Sequence, residues 1–348
     1  MRILLGCDRT KGHLYPALSL ARYMKDSGQG YRFIFYGVNK RDKPSLKEEG
    51  FKSFGMDLGF RNIALESFLR FFEAAVVILY FRPHKIIGFG GRNSIFIAVL
   101  GRILGVKIFI FEPNAKFGLA NKVLAYFSKK VFLGIKHPSL PKEVSVGVPL
   151  RREVSGRVYD RKDALGFLGL DPGKKTILIF GGSGGARFVN EIFLETAKLL
   201  KENVRFQVIH LTGEKDFSRT LSVYRDMGIE YRVYPYYKDI GVLYSASDIV
   251  VSRCGASTLA EICFFALPAV LIPYPYAYGH QKENALFLSE KKSAVLAEQQ
   301  EITPLKLFEV LEGAINDYQR FSFMGSNAGK ERIWKRQKDF AESILRYL

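Results

Sequence analysis

The chain has 348 residues, 48% of them hydrophobic, which is enough for two domains of ordinary size. Its three cysteines, Cys7, Cys254 and Cys263, form no metal spacing and no even framework, which argues for a reducing compartment, and no apolar run reaches the roughly 18–20 residues that cross a bilayer. The net charge of +18 is lopsided: residues 1–150 hold 24 Lys/Arg against 10 Asp/Glu, and residues 151–348 hold 28 against 24, so the first half calls for an anionic partner such as a phosphate or an acidic membrane surface.

Short apolar strands alternate with helical stretches along the chain. Arg2–Gly6 reads as a strand that starts at once, with no signal-peptide pattern before it. GCDRTKGH is a polar loop, followed by a helix over Pro16–Lys25 and a strand over Tyr31–Gly37. Residues 38–60 read as irregular apart from a strand near Phe51–Phe54, and Ile63–Tyr80 as a helix rich in Phe and Leu. Lys85–Gly88 is a strand, FGGRNS opens a helix to about Leu104, Lys107–Phe111 is a strand, and EPNAKFG leads to a helix over Leu119–Phe127. Lys130–Leu133 and Glu143–Val146 complete this half. A boundary falls at GVPLRREV, residues 147–154, where the charge balance changes.

The pattern then restarts. Thr176–Phe180 is a strand, GGSGGA a glycine loop and Arg187–Leu200 a helix; further strands are read at Phe206–Leu211, Tyr231–Tyr234, Ile249–Ser252, Ala269–Ile272 and Ala294–Leu296. The stretch from about Asn327 to Leu348 reads as helical. This alternation predicts an α/β fold of two Rossmann-like, doubly wound parallel domains, residues 1–150 and 151–348, with the last helix able to pack back on the first domain.

Two glycine loops and one βαβ unit carry the chemistry. After a strand, the glycines of residues 181–186 let backbone N–H groups approach a ligand, and the following helix points its positive end at it; the loop is neither a Walker loop nor the usual dinucleotide fingerprint. GCDRTKGH is the analogous loop of the first half, and His13 shares it with Arg9 and Lys11; a structural histidine is the competing reading. In SRCGASTLAEI, Gly255 permits a tight turn, Ser257 can cap the helix, and Glu261 lies one turn in, at the edge where open α/β sheets bind ligands. Aromatic residues follow core periodicity rather than basic runs, which speaks against nucleic acid.

GHLYPALSLA, GFGG, FEPNAKFGLANK, GVPLRREV, ILIFGGSGGA, SRCGASTLAEI and HQKENA occur in this order over residues 12–285. Together they resemble the bacterial N-acetylglucosaminyltransferase family that completes the lipid-linked peptidoglycan precursor. The resemblance implies a GT-B type glycosyltransferase, its two domains facing a cleft, that moves N-acetylglucosamine from UDP-N-acetylglucosamine to undecaprenyl-pyrophosphoryl-muramyl-pentapeptide with inversion and no covalent intermediate. It needs no cofactor and no metal, and no D-x-D clamp occurs in the sequence.

On the donor side it implies Glu261 on the ribose, backbone at Ala256, Thr258 and Leu259 near the diphosphate, Ser183 and Gly184 in the phosphate loop, Arg151 facing the nucleotide, Gln281 on the sugar hydroxyls and Asn284 supporting that loop. On the acceptor side it implies His13 or Glu112 as the base or its orienter, with Thr10, Gly12, Arg92 and Asn114 around the acceptor. There the chain departs from the family pattern: Asp8, Arg9, Thr10 and Lys11 stand where glycines are usual, and Arg92 where an aromatic residue is. The departures leave three other readings: a lipid glycosyltransferase with another acceptor, a sugar-nucleotide epimerase of the same fold, and a donor-binding protein without catalysis. The implied location is peripheral, at the cytoplasmic face of the cell membrane. There the stretch Arg61–Tyr80 would place Ile63, Phe68, Leu69, Phe71 and Phe72 in the headgroup region, with Arg61 and Arg70 on lipid phosphates.

Overall fold

The structure is a computed structural model that describes residues 1–8, 11–55, 63–136, 142–182, 184–276 and 279–348, with Lys11, Ile63 and Ala64 as backbone only. It divides into two compact units, Met1–Pro149 with Lys335–Leu348, and Leu150–Trp334.

The first unit holds β1 (Arg2–Gly6), α1 (Lys11–Asp26), β2 (Arg32–Tyr36), α2 (Lys43–Glu48), β3 (Lys52–Phe54), α3 (Ile63–Phe81), β4 (Lys85–Gly88), α4 (Arg92–Ile103), β5 (Lys107–Glu112), α5 (Leu119–Phe127), β6 (Lys130–Leu133), β7 (Glu143–Ser145) and β8 (Val148–Pro149). Its seven-stranded sheet runs β3-β2-β1-β4-β5-β6-β7, parallel at every pairing, with Leu4 opposite Ile34 on one side and Ile86 on the other. Strands buried on both faces need side chains that are apolar throughout, and Ile3, Leu4 and Leu5 meet that need. Ile3 and Leu5 enter the core beneath α1, whereas Leu4 points to the opposite face, where Val77 and Ile97 of α3 and α4 close over it.

The second unit holds α6 (Arg152–Ser155), α7 (Arg161–Leu168), β9 (Lys175–Phe180), α8 (Arg187–Leu200), β10 (Phe206–Leu211), α9 (Phe217–Arg225), β11 (Glu230–Tyr234), α10 (Ile240–Ser245), β12 (Ile249–Ser252), α11 (Ala256–Phe265), β13 (Ala269–Leu271), α12 (His280–Ser289), β14 (Val295–Leu296), α13 (Pro304–Asn316) and α14 (Tyr318–Lys330). Its six-stranded sheet runs β11-β10-β9-β12-β13-β14, again parallel. Both sheets are doubly wound, as the alternation predicted. The order reverses between β1 and β4 in one and between β9 and β12 in the other, and those are the places where loops part to leave a crevice at the strand ends.

Four local readings change. Helix α1 starts at Lys11, not Pro16, so the proline sits inside the helix and His13 lies in the first turn. Residues 38–55 contain α2, with Pro44 early in its first turn. Ser257 does not cap α11: Gly255 is the N-cap residue and no side chain bonds the first turn there. The expected continuous helix to Leu348 breaks after Lys330, passes through β15 (Trp334–Lys335), and resumes as α15 (Gln337–Leu345), which packs on α1 in the first unit. Phe340 is fully buried there, its ring 5.2 Å from that of Phe111.

Candidate active site

In the second unit the crevice lies between the β9–α8 and β12–α11 loops. Gly185 folds the first loop tightly: its φ is +76°, and a Cβ would stand 2.3 Å from the Thr212 carbonyl oxygen. Around Gly182 and Gly184 a Cβ would meet nothing within 4 Å, so the loop is open on that side. Ser183 lies outside the described residues. The helices α8, α11 and α12 start at Ala186, Gly255 and Gly279, none with a side-chain cap, so their first-turn N–H groups are available to an anion. Ala256 and Thr258 lie in the first turn of α11, and Leu259 is fully buried, so its side chain is out of reach of a ligand.

Arg151 and Glu261, expected as two separate ligands of the nucleotide, are bound to each other. Arg151 Nε donates to Glu261 Oε1 at 2.8 Å and Nη2 to Oε2 at 2.9 Å, the two-pronged geometry that guanidinium and carboxylate favour. Tyr244 Oη also donates to Oε2, at 2.9 Å. Burial first, and then the Glu261 carboxylate, pushes the Tyr244 hydroxyl well above the usual tyrosine range, so it stays a donor. Gln281 Oε1 accepts from the backbone N–H of Cys254 (3.2 Å) and of Tyr274 (3.0 Å), and Asn284 Nδ2 donates to the Cys254 carbonyl at 2.9 Å. Helix α12 therefore grips the β12–α11 turn through both polar groups of one residue. Arg253, which the sequence did not single out, is buried and donates to the carbonyls of Ile272 and Pro273 and to Gln299, fixing the loop after β13.

In the first unit the crevice lies between the loops after β1 and β4. His13 is half-buried, and a Cβ on Gly90 would stand 2.9 Å from its Nε2, so only glycine lets the ring lie against that backbone. Glu112, at the end of β5, is 2% exposed and takes four donors: Asn114 N (3.1 Å) and Nδ2 (2.8 Å) on Oε1, and Gly118 N (3.0 Å) and Asn121 Nδ2 (3.0 Å) on Oε2. A carboxylate offers about four lone-pair sites, so Glu112 is filled and organises the loop that carries Asn114. Asn121 also approaches the Gly90–His13 contact, since the same Cβ would lie 3.6 Å from its Nδ2. Gly12 is exposed at the start of α1, while Thr10, Arg9 and the Lys11 side chain lie outside the described residues.

Two of the residues that depart from the family pattern, Asp8 and Arg92, interact with each other. Asp8 Oδ2 accepts from Arg92 N at 3.0 Å and Oδ1 from Asn93 Nδ2 at 3.3 Å, so a carboxylate of the chain occupies the N-terminus of α4. The Arg92 side chain turns to Glu66, 2.8 Å away. Arg70, expected on lipid phosphates, is 2% exposed and bonds Glu73 at 2.9 Å. Helix α3 is thus inverted over this stretch: Glu66, Arg70 and Glu73 face inward, while Phe68, Phe71, Phe72, Val76 and Leu79 face solvent. Arg61 lies outside the described residues, as does the Ile63 side chain. Among the described residues no three His, Cys, Asp or Glu side chains converge as a metal site, and no helix is long and apolar enough to cross a membrane.

Residues 9–133 match the Glycosyltransferase family 28 N-terminal domain, and residues 176–344 match the Glycosyltransferase family 28 C-terminal domain. The chain is 33% identical, over 94% of its length and 94% of the relative's, to the UDP-N-acetylglucosamine--N-acetylmuramyl-(pentapeptide) pyrophosphoryl-undecaprenol N-acetylglucosamine transferase of Halothermothrix orenii. A relative of the same name from Desulforamulus reducens is 30% identical over 95% of this chain and 94% of the other. The crystal structure of Acinetobacter baumannii MurG superposes with a TM-score of 0.80 over 99% of both chains; at 24% identity that likeness speaks to the fold. The glycine crevices, the Arg151–Glu261 pair and two near full-length relatives lead to one assignment: the chain belongs to glycosyltransferase family 28, among the UDP-N-acetylglucosamine--N-acetylmuramyl-(pentapeptide) pyrophosphoryl-undecaprenol N-acetylglucosamine transferases.

Proposed function

We propose that the chain transfers N-acetylglucosamine from UDP-N-acetylglucosamine to the undecaprenyl-pyrophosphoryl-muramyl-pentapeptide, with inversion at the sugar carbon. The observation that carries this reading is the crevice of the second unit, where three uncapped helix N-termini and Arg151 converge at a strand-order reversal. In a transfer with no covalent intermediate, negative charge builds on the leaving diphosphate. Helix N-termini and a fixed guanidinium are preorganised to stabilise it without a metal. Glu261 places Arg151 and offers a remaining acceptor site to the ribose. Gly184, on the open side of the phosphate loop, and Ser183, by the family resemblance, serve the diphosphate, and Gln281, its carbonyl engaged, keeps its NH₂ for the sugar hydroxyls.

The first unit takes the acceptor. His13 is the group that removes the proton from the acceptor hydroxyl, because Glu112 has no acceptor site left; Glu112 acts through Asn114 and Asn121 as a positioning residue. The inverted face of α3 supports peripheral docking on the cytoplasmic face of an anionic membrane. Exposed Phe and Leu side chains would enter the headgroup region, and the excess of cations in residues 1–150 would contribute about 1 kcal/mol each at most near the surface. The test is transfer of labelled N-acetylglucosamine from the uridine nucleotide to a muramyl-peptide diphosphate with a shortened prenyl chain. Formation of the disaccharide lipid is expected, and donor hydrolysis without transfer would overturn the reading.

A further inference from the structure

Six strands of the first sheet begin on a cation: Arg2, Arg32, Lys52, Lys85, Lys107 and Lys130. They form a row along the edge where the strands start, opposite the edge that carries His13 and Glu112. Among the described residues none of the six has a carboxylate within 4.0 Å. The second sheet shows what a neutralised edge looks like: Lys174 lies 3.1 Å from Glu230, and Lys175 lies 3.3 Å from Asp248. Helix C-termini reach both edges and offset part of the charge, about half an elementary charge each, so they do not account for the difference between the sheets. Burial, and after it the neighbouring charges of Lys107 and Lys129, hold Lys85 below the ordinary lysine value.

One end of this row opens into a cavity of about 580 Å³. Arg2, Lys25, Arg32 and Lys52 surround it, with Phe33 and Phe51 as walls. Lys25 spends one donor on the Glu49 carbonyl at 2.5 Å, and Arg2 its Nε on the Arg82 carbonyl at 2.8 Å; the Glu49 carboxylate is itself held by Arg22, both oxygens at 2.5 Å. The lining contains no carboxylate. Tyr80 of α3 forms part of the rim and is exposed, so the cavity opens onto the inverted face of that helix.

We propose that this cavity is a binding site for a phosphate ester, separate from both crevices of the transfer reaction. Four cations on separate elements supply charge-assisted donors to the phosphate oxygens, and the two phenyl walls take the uncharged part of the ligand. The chemistry fits the headgroup of an anionic phospholipid, with its acyl chains leaving past Tyr80, and it fits a free phosphate ester equally well. The inference does not depend on membrane docking, because a soluble ligand would satisfy the same donors.

The experiment is calorimetry on the full chain with glycerol phosphate, with monomeric dihexanoyl-phosphatidylglycerol and with dihexanoyl-phosphatidylcholine. The parent is compared with Arg32→Ser/Lys52→Ser at the cavity and with Lys107→Ser/Lys129→Ser, which removes equal charge further along the edge. Unchanged UDP affinity verifies that each variant is folded. Loss of two charged donors should weaken phosphatidylglycerol at least about tenfold in the cavity variant, and less than about twofold in the other. Comparable binding of glycerol phosphate assigns a free phosphate ester, and binding of phosphatidylglycerol alone assigns a lipid. Equal weakening in both variants, equal affinity for phosphatidylcholine, or no binding of either anionic compound at millimolar concentration overturns the proposal. Anionic vesicles added to the parent and the cavity variant separate the two claims: equal co-sedimentation leaves membrane docking standing without the cavity, and calorimetric binding without co-sedimentation leaves the cavity standing without docking.

Discussion

Replacing Glu261 tests the donor crevice most sharply, because its bonds can be counted. The carboxylate has about four lone-pair sites. Three are taken, by Arg151 Nε on Oε1 and by Arg151 Nη2 and Tyr244 Oη on Oε2, which leaves one site on Oε1 for a ribose hydroxyl. One hydrogen bond to a charged group contributes about 1.5–3 kcal/mol, so Glu261→Ala should weaken UDP binding by roughly 10- to 150-fold. The variant should also lose stability. Breaking a buried ion pair costs about 3–5 kcal/mol, and the lower end applies because the Arg151 side chain is 21% exposed and can rehydrate. Calorimetry with UDP and urea unfolding read the two effects separately. In a cycle with Arg151→Ala, the double variant should bind UDP little worse than either single one, since Glu261 acts partly by holding Arg151. Unchanged donor affinity in Glu261→Ala would refute the assignment, and fully additive losses would refute the coupling.

Three further outcomes are expected. His13→Ala should lower kcat by about 10²–10⁴-fold while UDP affinity and the unfolding midpoint stay near those of the parent; a near-normal kcat, or loss of folding, would make the residue structural. Phe71→Ser with Phe72→Ser should reduce co-sedimentation with anionic vesicles, which should itself weaken at high salt, and equal binding to neutral vesicles at every salt concentration would remove the role of charge. Burial holds His210 down to about 3, between Asn190 and Tyr224, whereas the unfolded chain takes up its proton below about pH 6.5. Its contribution is therefore complete above pH 6.5 and falls by about 1.4 kcal/mol per pH unit below it, so stability should drop from pH 7 to pH 5 more steeply in the parent than in His210→Gln. Parallel pH profiles would contradict that.

Both parallel sheets were legible in the sequence because strands covered on two faces read as unbroken apolar runs, and Ile177–Phe180 or Ile86–Ile87 can hardly be read otherwise. The crevices were legible through their glycines. The pairing of Arg151 with Glu261 was not, since the two lie 110 positions apart and nothing local links them, and Tyr244 sits in a short helix with no polar signature. The outward face of α3 was expected at Phe68, Phe71 and Phe72, and they are exposed, but Arg70 was expected beside them and is buried, because periodicity treats a charged side chain as solvated. A buried charge chain, from Glu66 through Arg70 to Glu73 and the Tyr36 hydroxyl, holds it there, and nothing local in the sequence announces those partners. Asp8 was visible as a misplaced carboxylate, but its bond to the first amide of α4 required the fold.

The return of α15 to α1 makes the first unit discontinuous in the chain, and that has a consequence for biosynthesis. Phe340, Ala341 and Ile344 fill the core beneath α1, and Tyr23 meets Glu342 at 2.6 Å. On the ribosome, residues 1–149 emerge with that part of the core open and stay incomplete while the whole second unit is translated. A fragment cut after Pro149 should therefore expose apolar surface and associate, whereas residues 150–334 lack no segment of their own core and should fold as soon as they emerge. The first unit is begun first and finished last.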